Sequence, residues 1–412
     1  MLDISDEIKQ LYNVDSTQKT LILEFYSNKS DSVPELTVSN LNIISESMVL
    51  NEALCDGETL EFGSIFASKF EIDIFNINTD LMGYYIKAYM TIANSVYKLP
   101  LFNGIVESSK LKNNRKQRHV VAYDDVYNVL DTDITDWYLS LANGQSTKPY
   151  YIKDFRKLLL NYLGLQYEEK NLVNDNFLMF IRTDKTGIRA RDLLHDICEI
   201  NGCFGRINRD NRFIFKEIKL LNYHYPSNSL YPTESLYPGV YIDSSSIYEI
   251  NEYISVDYGE YKTNPITKIE IYDSSVSNDI ILVGEFDNWY NYPTPSSNPT
   301  LFPNDTVFPG YISNLNTYQI TDNICVDPGE FTDLMAQQIF NAICNYVYVP
   351  INLKLRGLPY LEAGDVINVS LNDDNNTTIT TIILSRNLTG IQALKDEFIA
   401  KGDEFHNKQY KI

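Results

Sequence analysis

LPYLEAGDVI, residues Leu358 to Ile367, is the stretch from which the fold of this chain is read. Pro359 removes a backbone donor and fixes its own φ, and Gly364 permits a tight turn. Asp365 is placed to accept bonds from the amides of that turn. Val366 to Leu371 and Thr377 to Leu384 then read as two strands joined across Asp373-Asp374-Asn375-Asn376. The stretch therefore predicts a sharp turn that launches a hairpin. Beyond it, Ile391 to Ala400 has helical character. Before it, Val349 to Leu355 reads as a strand. Earlier still, Asp327-Pro328-Gly329-Glu330 forms a capping box with proline at the first helical position. Phe331, Leu334, Met335, Ile339, Ala342, Ile343 and Tyr346 mark the buried stripe of the helix that follows.

From Leu221 to about Leu315 the chain is rich in Tyr, Pro, Ser and Asn. YHYPSNSLYPTESLYPG (223–239) and NWYNYPTPSSNPTLFPNDTVFPG (288–310) cannot be regular helix, because proline removes donors and blocks the preceding turn. Strand-like pieces at Lys268 to Tyr272 and Ile280 to Val283 lie between these two long loops. The block before them is α+β. Ile152, Phe155, Leu158, Leu159, Tyr162 and Leu163 fall at helical spacing, with Gly164 as a stop. A second helix is predicted from about Ile188 to Ile200, with Ala190, Leu193, Leu194, Ile197 and Cys198 on its inner face. Phe204 to Ile207 and Arg212 to Ile218 bracket Asn208-Arg209-Asp210-Asn211, a hairpin signal.

The front of the chain reads as β. Thr20 to Tyr26, Leu36 to Val38, Leu60 to Phe62, Ser68 to Phe75 and Tyr84 to Ile92 are rich in β-branched and aromatic residues. Phe70, Ile72 and Ile74 alternate with charged neighbours, the mark of a strand buried on one face. Leu101 to Leu111 and Gln117 to Tyr123 flank Lys112-Asn113-Asn114-Arg115, a hairpin loop.

Composition narrows the function. At 412 residues the chain should hold two to four domains. No apolar window is long enough for a transmembrane span, and the acidic start MLDISDEIKQLY is unlike a secretory signal, so cytoplasmic synthesis is expected. The formal charge of −21 disfavours nucleic-acid binding through phosphate neutralisation. The one basic cluster, Lys110 to Arg118, reads as a solvated hairpin tip. Five scattered cysteines (Cys55, Cys198, Cys203, Cys325, Cys344) fit neither a disulfide framework nor a zinc site, and read as buried thiols.

Candidate chemistry is sparse. His195 and Cys198 lie three apart on one helix and could pair a base with a thiol, but Cys198 falls on the buried stripe and no helper is evident. His119, His195, His224 and His406 are too dispersed for a metal motif such as H-E-x-x-H. Asp131, Asp133 and Asp136 (DTDITD) could hold Ca²⁺, yet Asp136 and Ala142 stand where an EF-hand needs Gly and Glu. A solvated turn or helix start is the plainer reading. Hence no catalytic, cofactor-binding or metal-ligating set is expected, and no enzyme.

LPYLEAGDVI, the hairpin after it and Leu388-Thr389-Gly390 resemble the closing barrel of phage tail-hub (baseplate hub) proteins, where a P-x-L-E-x-G-D-x-I turn precedes the hairpin. Leu36-Thr37-Val38, Ser45 to Val49, Leu60 to Phe62, Gly63 and Ala67-Ser68-Lys69-Phe70 resemble the family's opening barrel, with its G-x-x-x-A-S element. Phe102-Asn103-Gly104-Ile105-Val106 and Ala122-Tyr123-Asp124 resemble its closing hairpin and exit. Ala190-Arg191-Asp192-Leu193-Leu194 is similar to a helix of its inserted domain. The resemblance spans about Met1 to Gly402, and the Tyr/Pro insertion between about 223 and 316 departs from it.

The fold expected is β-rich and multidomain (α+β): two small β-barrel domains, an inserted α+β domain and long Tyr/Pro-rich loops. The boundaries are 1–123, 124–222 and 223–392, with loop insertions at about 223–260 and 285–316, then a helical tail at 393–412. The resemblance implies a homotrimer whose two barrels per chain make a pseudo-sixfold ring at the virion tail tip. It implies a distal tail or tail-tube protein above, a tail fibre, spike or receptor-binding protein below, and a channel for tape measure protein and DNA. An acidic wall would repel DNA rather than trap it, and no stable membrane insertion is expected. Some family members carry a peptidoglycan-cleaving domain after the hub, for which the residues up to Ile412 leave no room. The alternatives are a cell-wall carbohydrate-binding module, with the aromatic loops Tyr223 to Tyr241 and Asp287 to Tyr311 stacking on sugar rings, and a peptidoglycan hydrolase.

Overall fold

The computed structural model describes residues 2, 4–14, 16–55, 60–93, 95–112, 116–142, 149–218, 247–258, 266, 268–272, 280–284, 317–326, 333–343, 348–373 and 377–402. A short helix, α1 (Asp6–Tyr12), opens the chain, and seven strands follow: β1 (Lys19–Tyr26), β2 (Leu36–Ser39), β3 (Val49–Ala53), β4 (Lys69–Phe75), β5 (Tyr85–Ile92), β6 (Leu99–Leu111) and β7 (Gln117–Tyr123). Period-two burial is clear in β1 and β7, where inward Leu21, Leu23 and Phe25 and inward Val120 and Ala122 alternate with less buried neighbours. The middle block contains α2 (Tyr127–Leu130), α3 (Thr135–Ser140), β8 (Tyr150–Tyr151), α4 (Ile152–Tyr162), β9 (Leu178–Met179), α5 (Ala190–Glu199), β10 (Phe204–Ile207) and β11 (Phe213–Lys216).

The last part contains β12 (Tyr248–Ile250), β13 (Ser255–Tyr258), β14 (Lys268–Tyr272), β15 (Ile280–Gly284), β16 (Thr317–Thr321), α6 (Asp333–Ile343), β17 (Ile351–Arg356), β18 (Val366–Ser370), β19 (Thr378–Ile382), β20 (Ser385–Thr389) and β21 (Lys395–Ala400). Eleven strands form one sheet in the order β13-β17-β21-β20-β3-β4-β7-β6-β5-β1-β2. Its described pairings are antiparallel. Smaller sheets are β12-β18-β19, β15-β14-β16, β10-β11 and β8-β9. Most of the buried apolar side chains join one contiguous core that runs through all three parts.

On α5 the predicted stripe holds, whereas on α4 the predicted Leu158 and Tyr162 are exposed and Leu160 is buried instead. Ala190, Leu193, Leu194, Ile197 and Cys198 are buried on α5, and Ile152, Phe155 and Leu159 on α4. The α5 start is closed by Asp192, whose carboxylate accepts the Arg189 amide at 2.8 Å. The β10–β11 hairpin turns through Asn211 at φ +60°. On α6, Met335, Ile339 and Ile343 are buried, while the capping box at Asp327 to Glu330 lies outside the described residues.

Three expectations are corrected. The two β regions do not form two separate closed barrels among the described residues. Instead β20 pairs with β3 from Ser385↔Ala53 to Thr389↔Val49, which joins both regions in one hydrogen-bonded ladder. Lys395–Ala400 is not helical: it is β21, paired with β17 and β20, and it buries Asp396, Phe398 and Ala400 on one face. The helical tail thus fails for 395–400, and 403–412 lie outside the described residues. Leu60 to Phe62 is no strand, because the chain turns at Gly63, φ +85°, whose amide bonds the Cys203 carbonyl at 3.0 Å.

Candidate functional site

The turn in LPYLEAGDVI is a small device built from its own residues. Gly364 takes φ +90°. The Glu362 amide donates to Asp365 Oδ2 at 2.8 Å, and the Asp365 amide to the Glu362 carbonyl at 3.1 Å. Lys216 of β11 reaches Asp365 Oδ1 at 3.2 Å. Burial opposes the Asp365 charge, while Lys216 foremost, and the Glu362 amide to a lesser degree, favour it, and the carboxyl lies below its usual range.

An irregular turn at this depth leaves carbonyls that need donors. Three arginines supply them. Arg386 on β20 donates to the carbonyls of Leu358 (2.8 Å) and Leu361. Arg209, in the β10–β11 loop, donates to those of Pro359 (2.7 Å) and Leu361 (3.2 Å), and Arg206 on β10 to that of Ala363 (2.6 Å). All three guanidiniums meet one carboxylate, Glu52 on β3: Arg206 at 3.1 Å, Arg209 at 2.9 Å and Arg386 at 3.1 Å. Asp396 on β21 takes Arg386 from the other side at 2.8 Å and accepts the Leu358 amide at 2.6 Å. Burial works against Glu52 ionisation, and the guanidiniums of Arg209, Arg206 and Arg386 reverse it, leaving the carboxyl at about 2. This centre welds the front strands, the inserted hairpin and the closing turn into one body.

A second buried acid marks the exit from β7. Asp124 accepts the Ser68 amide at 2.7 Å and the Val126 amide at 3.1 Å. Burial prevails over these donors and pushes its carboxyl up to about 7.

The eleven-stranded sheet ends in two edge strands among the described residues. Among the described residues β13 pairs only with β17, and β2 only with β1, so each presents a free backbone edge. Exposed apolar side chains flank both edges: Ile254 (70% exposed) and Tyr258 beside β13, Val33 and Leu41 (82%) beside β2. An unpaired edge with exposed apolar flanks is a surface suited to assembly.

The residues singled out from sequence fall elsewhere. Cys198 is buried in the core, and burial together with Cys203 pushes its thiol well above the usual range, away from the thiolate a nucleophile needs. Its suggested partner His195 is partly exposed and faces Glu199 instead, at 4.0 Å. Asp131 is engaged by Arg189 and Arg191, Asp133 accepts the Thr135 amide at 2.9 Å, and Asp136 sits in the first turn of α3. The DTDITD cluster is therefore a helix start with ion pairs. At the basic hairpin, Lys112 pairs with Asp73, and Arg118 is buried with its guanidinium on the Ser109 carbonyl at 2.8 Å. Cys55, Cys203 and Cys325 are buried and free like Cys198. Cys344 and the two Tyr/Pro loops lie outside the described residues. No described helix is long and apolar enough to cross a membrane.

The fold is similar to that of solved tail proteins. The 43 kDa tail protein of prophage MuSo2 from Shewanella oneidensis has a TM-score of 0.52 at 7% identity, over 94% of this chain and 99% of that one. The tail protein from Neisseria meningitidis MC58 has a TM-score of 0.48 at 11% identity, over 94% and 98%. Prophage tail protein gp18 from Listeria monocytogenes EGD-e has a TM-score of 0.47 at 9% identity, over 92% and 94%. At such identities the likeness is one of fold, and the first of the three carries it. No protein-family model matches the chain. No curated protein matches it.

Proposed function

We propose that this chain is a structural tail-hub protein of a tailed phage or a phage-derived particle, and that it is not an enzyme. The observation that supports this most is the fold shared with the MuSo2 tail protein along nearly the full length of both chains. In this reading 1–123 and 223–392 are the two hub modules, 124–222 the inserted domain, and the β3–β20 junction the seam between them. Three copies would place six such modules in a pseudo-sixfold ring at the tail tip. The free edges β13 and β2 differ in sequence, so a contact between them on neighbouring copies is head-to-tail, the kind that closes into a ring. The ring would join a distal tail or tube protein to a fibre, spike or receptor-binding protein. Its channel would pass tape measure protein and DNA, and the net charge of −21 would keep DNA from adhering to the wall.

Light scattering on purified protein tests the assembly: a mass three times the chain's 47.4 kDa is expected, and a monomer at all concentrations contradicts it. Zymography on purified cell walls tests the absence of catalysis, where a lysis band would overturn that part.

A further inference from the structure

Helix α5 carries a group of side chains that the assembly reading leaves unused. His195, Asp196 and Glu199 each offer one ligand atom, and these atoms lie within 4.8 Å of one another. His195 Nε2 is 4.0 Å from Glu199 Oε1. The carboxylates are oriented from outside the helix. Tyr318 OH donates to Glu199 Oε1 at 3.0 Å, Asn323 Nδ2 to Glu199 Oε2 at 2.9 Å, and the Ile324 amide to Asp196 Oδ2 at 2.8 Å. Each donor takes one lone pair and leaves others free, which is how outer partners hold carboxylates that ligate a metal. Among the described residues no donor reaches the remaining oxygen of Asp196, Oδ1. The His195 ring is backed by Gly63, where a Cβ would come within 2.8 Å of Cε1 and Nδ1, so Nε2 is the nitrogen left to turn toward Glu199.

The charges point the same way. Among the described residues neither Asp196 nor Glu199 pairs with a lysine or arginine, and only His195 comes within 4.0 Å of Glu199 as a potential cation. A buried carboxylate such as Glu199, with the half-buried Asp196 beside it, is costly to ionise without a cation.

We propose that His195, Asp196 and Glu199 bind one divalent transition-metal ion, with Zn²⁺ the species that one imidazole nitrogen and two carboxylate oxygens suit. Calcium and magnesium prefer all-oxygen shells, and the absence of thiolate in the set argues against softer ions. Ligands about 2.1 Å from zinc stand roughly 3.5 Å apart. The set must therefore close by about an ångström, which the partly exposed His195 ring can supply. All three ligands lie on α5, and Tyr318, Asn323 and Ile324 orient its two carboxylates toward the ion.

The test is isothermal titration of ZnCl₂ into full-length protein freed of metal with EDTA, with elemental analysis after gel filtration. One ion per chain is expected, bound at about micromolar Kd or tighter. His195→Ala and Asp196→Asn should each weaken binding at least about tenfold, while CaCl₂ and MgCl₂ fail to compete. His195 is partly exposed, so its variant should keep the fold, checked by circular dichroism. No uptake, or uptake that His195→Ala leaves unchanged, overturns the proposal. The oligomeric mass of the same samples is an independent readout, so failure here is distinguishable from failure of the hub assignment.

Discussion

Glu52 on β3 accepts a hydrogen bond from Arg386 on β20 at 3.1 Å, joining residues 334 positions apart at the strand pair where the two β regions meet. Three buried guanidiniums share that carboxylate, and without it only Asp396, beside Arg386, and Glu362, 3.6 Å from Arg206 and Arg209, remain to offset them. Glu52→Ala should destabilise the chain by about 3–5 kcal/mol. Urea unfolding checks this, and a loss under about 1 kcal/mol would show that the centre does not hold the two regions together.

Gly364→Ala should cost about 1–3 kcal/mol, because φ +90° is strained for any residue with a side chain. The added Cβ would also come within 2.8 Å of Lys216 Cε. The lysine can move aside, but only by loosening its 3.2 Å bond to Asp365. A thermal melt beside Lys216→Met separates backbone strain from loss of the ion pair.

Asp124 gives the protein a pH dependence with a definite sign. Its folded carboxyl titrates at about 7, above the usual 3.8, so between those values the native state holds a proton that the unfolded chain has lost. The stability contributed is fully present below about pH 4 and is lost as pH rises through 7. Between pH 5 and pH 8 Asp124→Asn should flatten the fall in unfolding free energy by on the order of 2 kcal/mol. Equal pH slopes for both proteins would place the Asp124 proton elsewhere.

The edge contact predicts variants that separate assembly from folding. Ile254 and Leu41 are exposed, so Ile254→Asp and Leu41→Asp should change monomer stability by no more than about 0.5 kcal/mol. Each should nonetheless lower the light-scattering mass. Wild-type mass in both variants would move the contact away from β13 and β2.

Much of the fold was legible because its elements obey one simple period. The α5 stripe, the β10–β11 hairpin and the turn chemistry of Gly364 and Asp365 all lie where their residues imply. Three strands at the junction of the two β regions were missed or misread. β3, β20 and β21 each point a charged residue inward, Glu52, Arg386 and Asp396, and a charge at an inward position breaks the alternation that marks a strand. Glu52 is satisfied by Arg386 from 334 positions away, which no local window contains, although Arg386 and Asp396 lie only 10 apart. Leu60 to Phe62 misled in the opposite way: its apolar side chains are used in packing, with Phe62 against Phe204 and Tyr318, while the backbone turns at Gly63. The His195, Asp196 and Glu199 set left a faint signal in its helical spacing, but its orienting partners come from 317–326 and only the fold brings them near.

A single-particle reconstruction of the purified protein tests the hub assignment most directly. Three-fold symmetry with an open central channel, and with β13 of one copy facing β2 of the next, is the predicted result. A compact particle with one copy and no channel would contradict it.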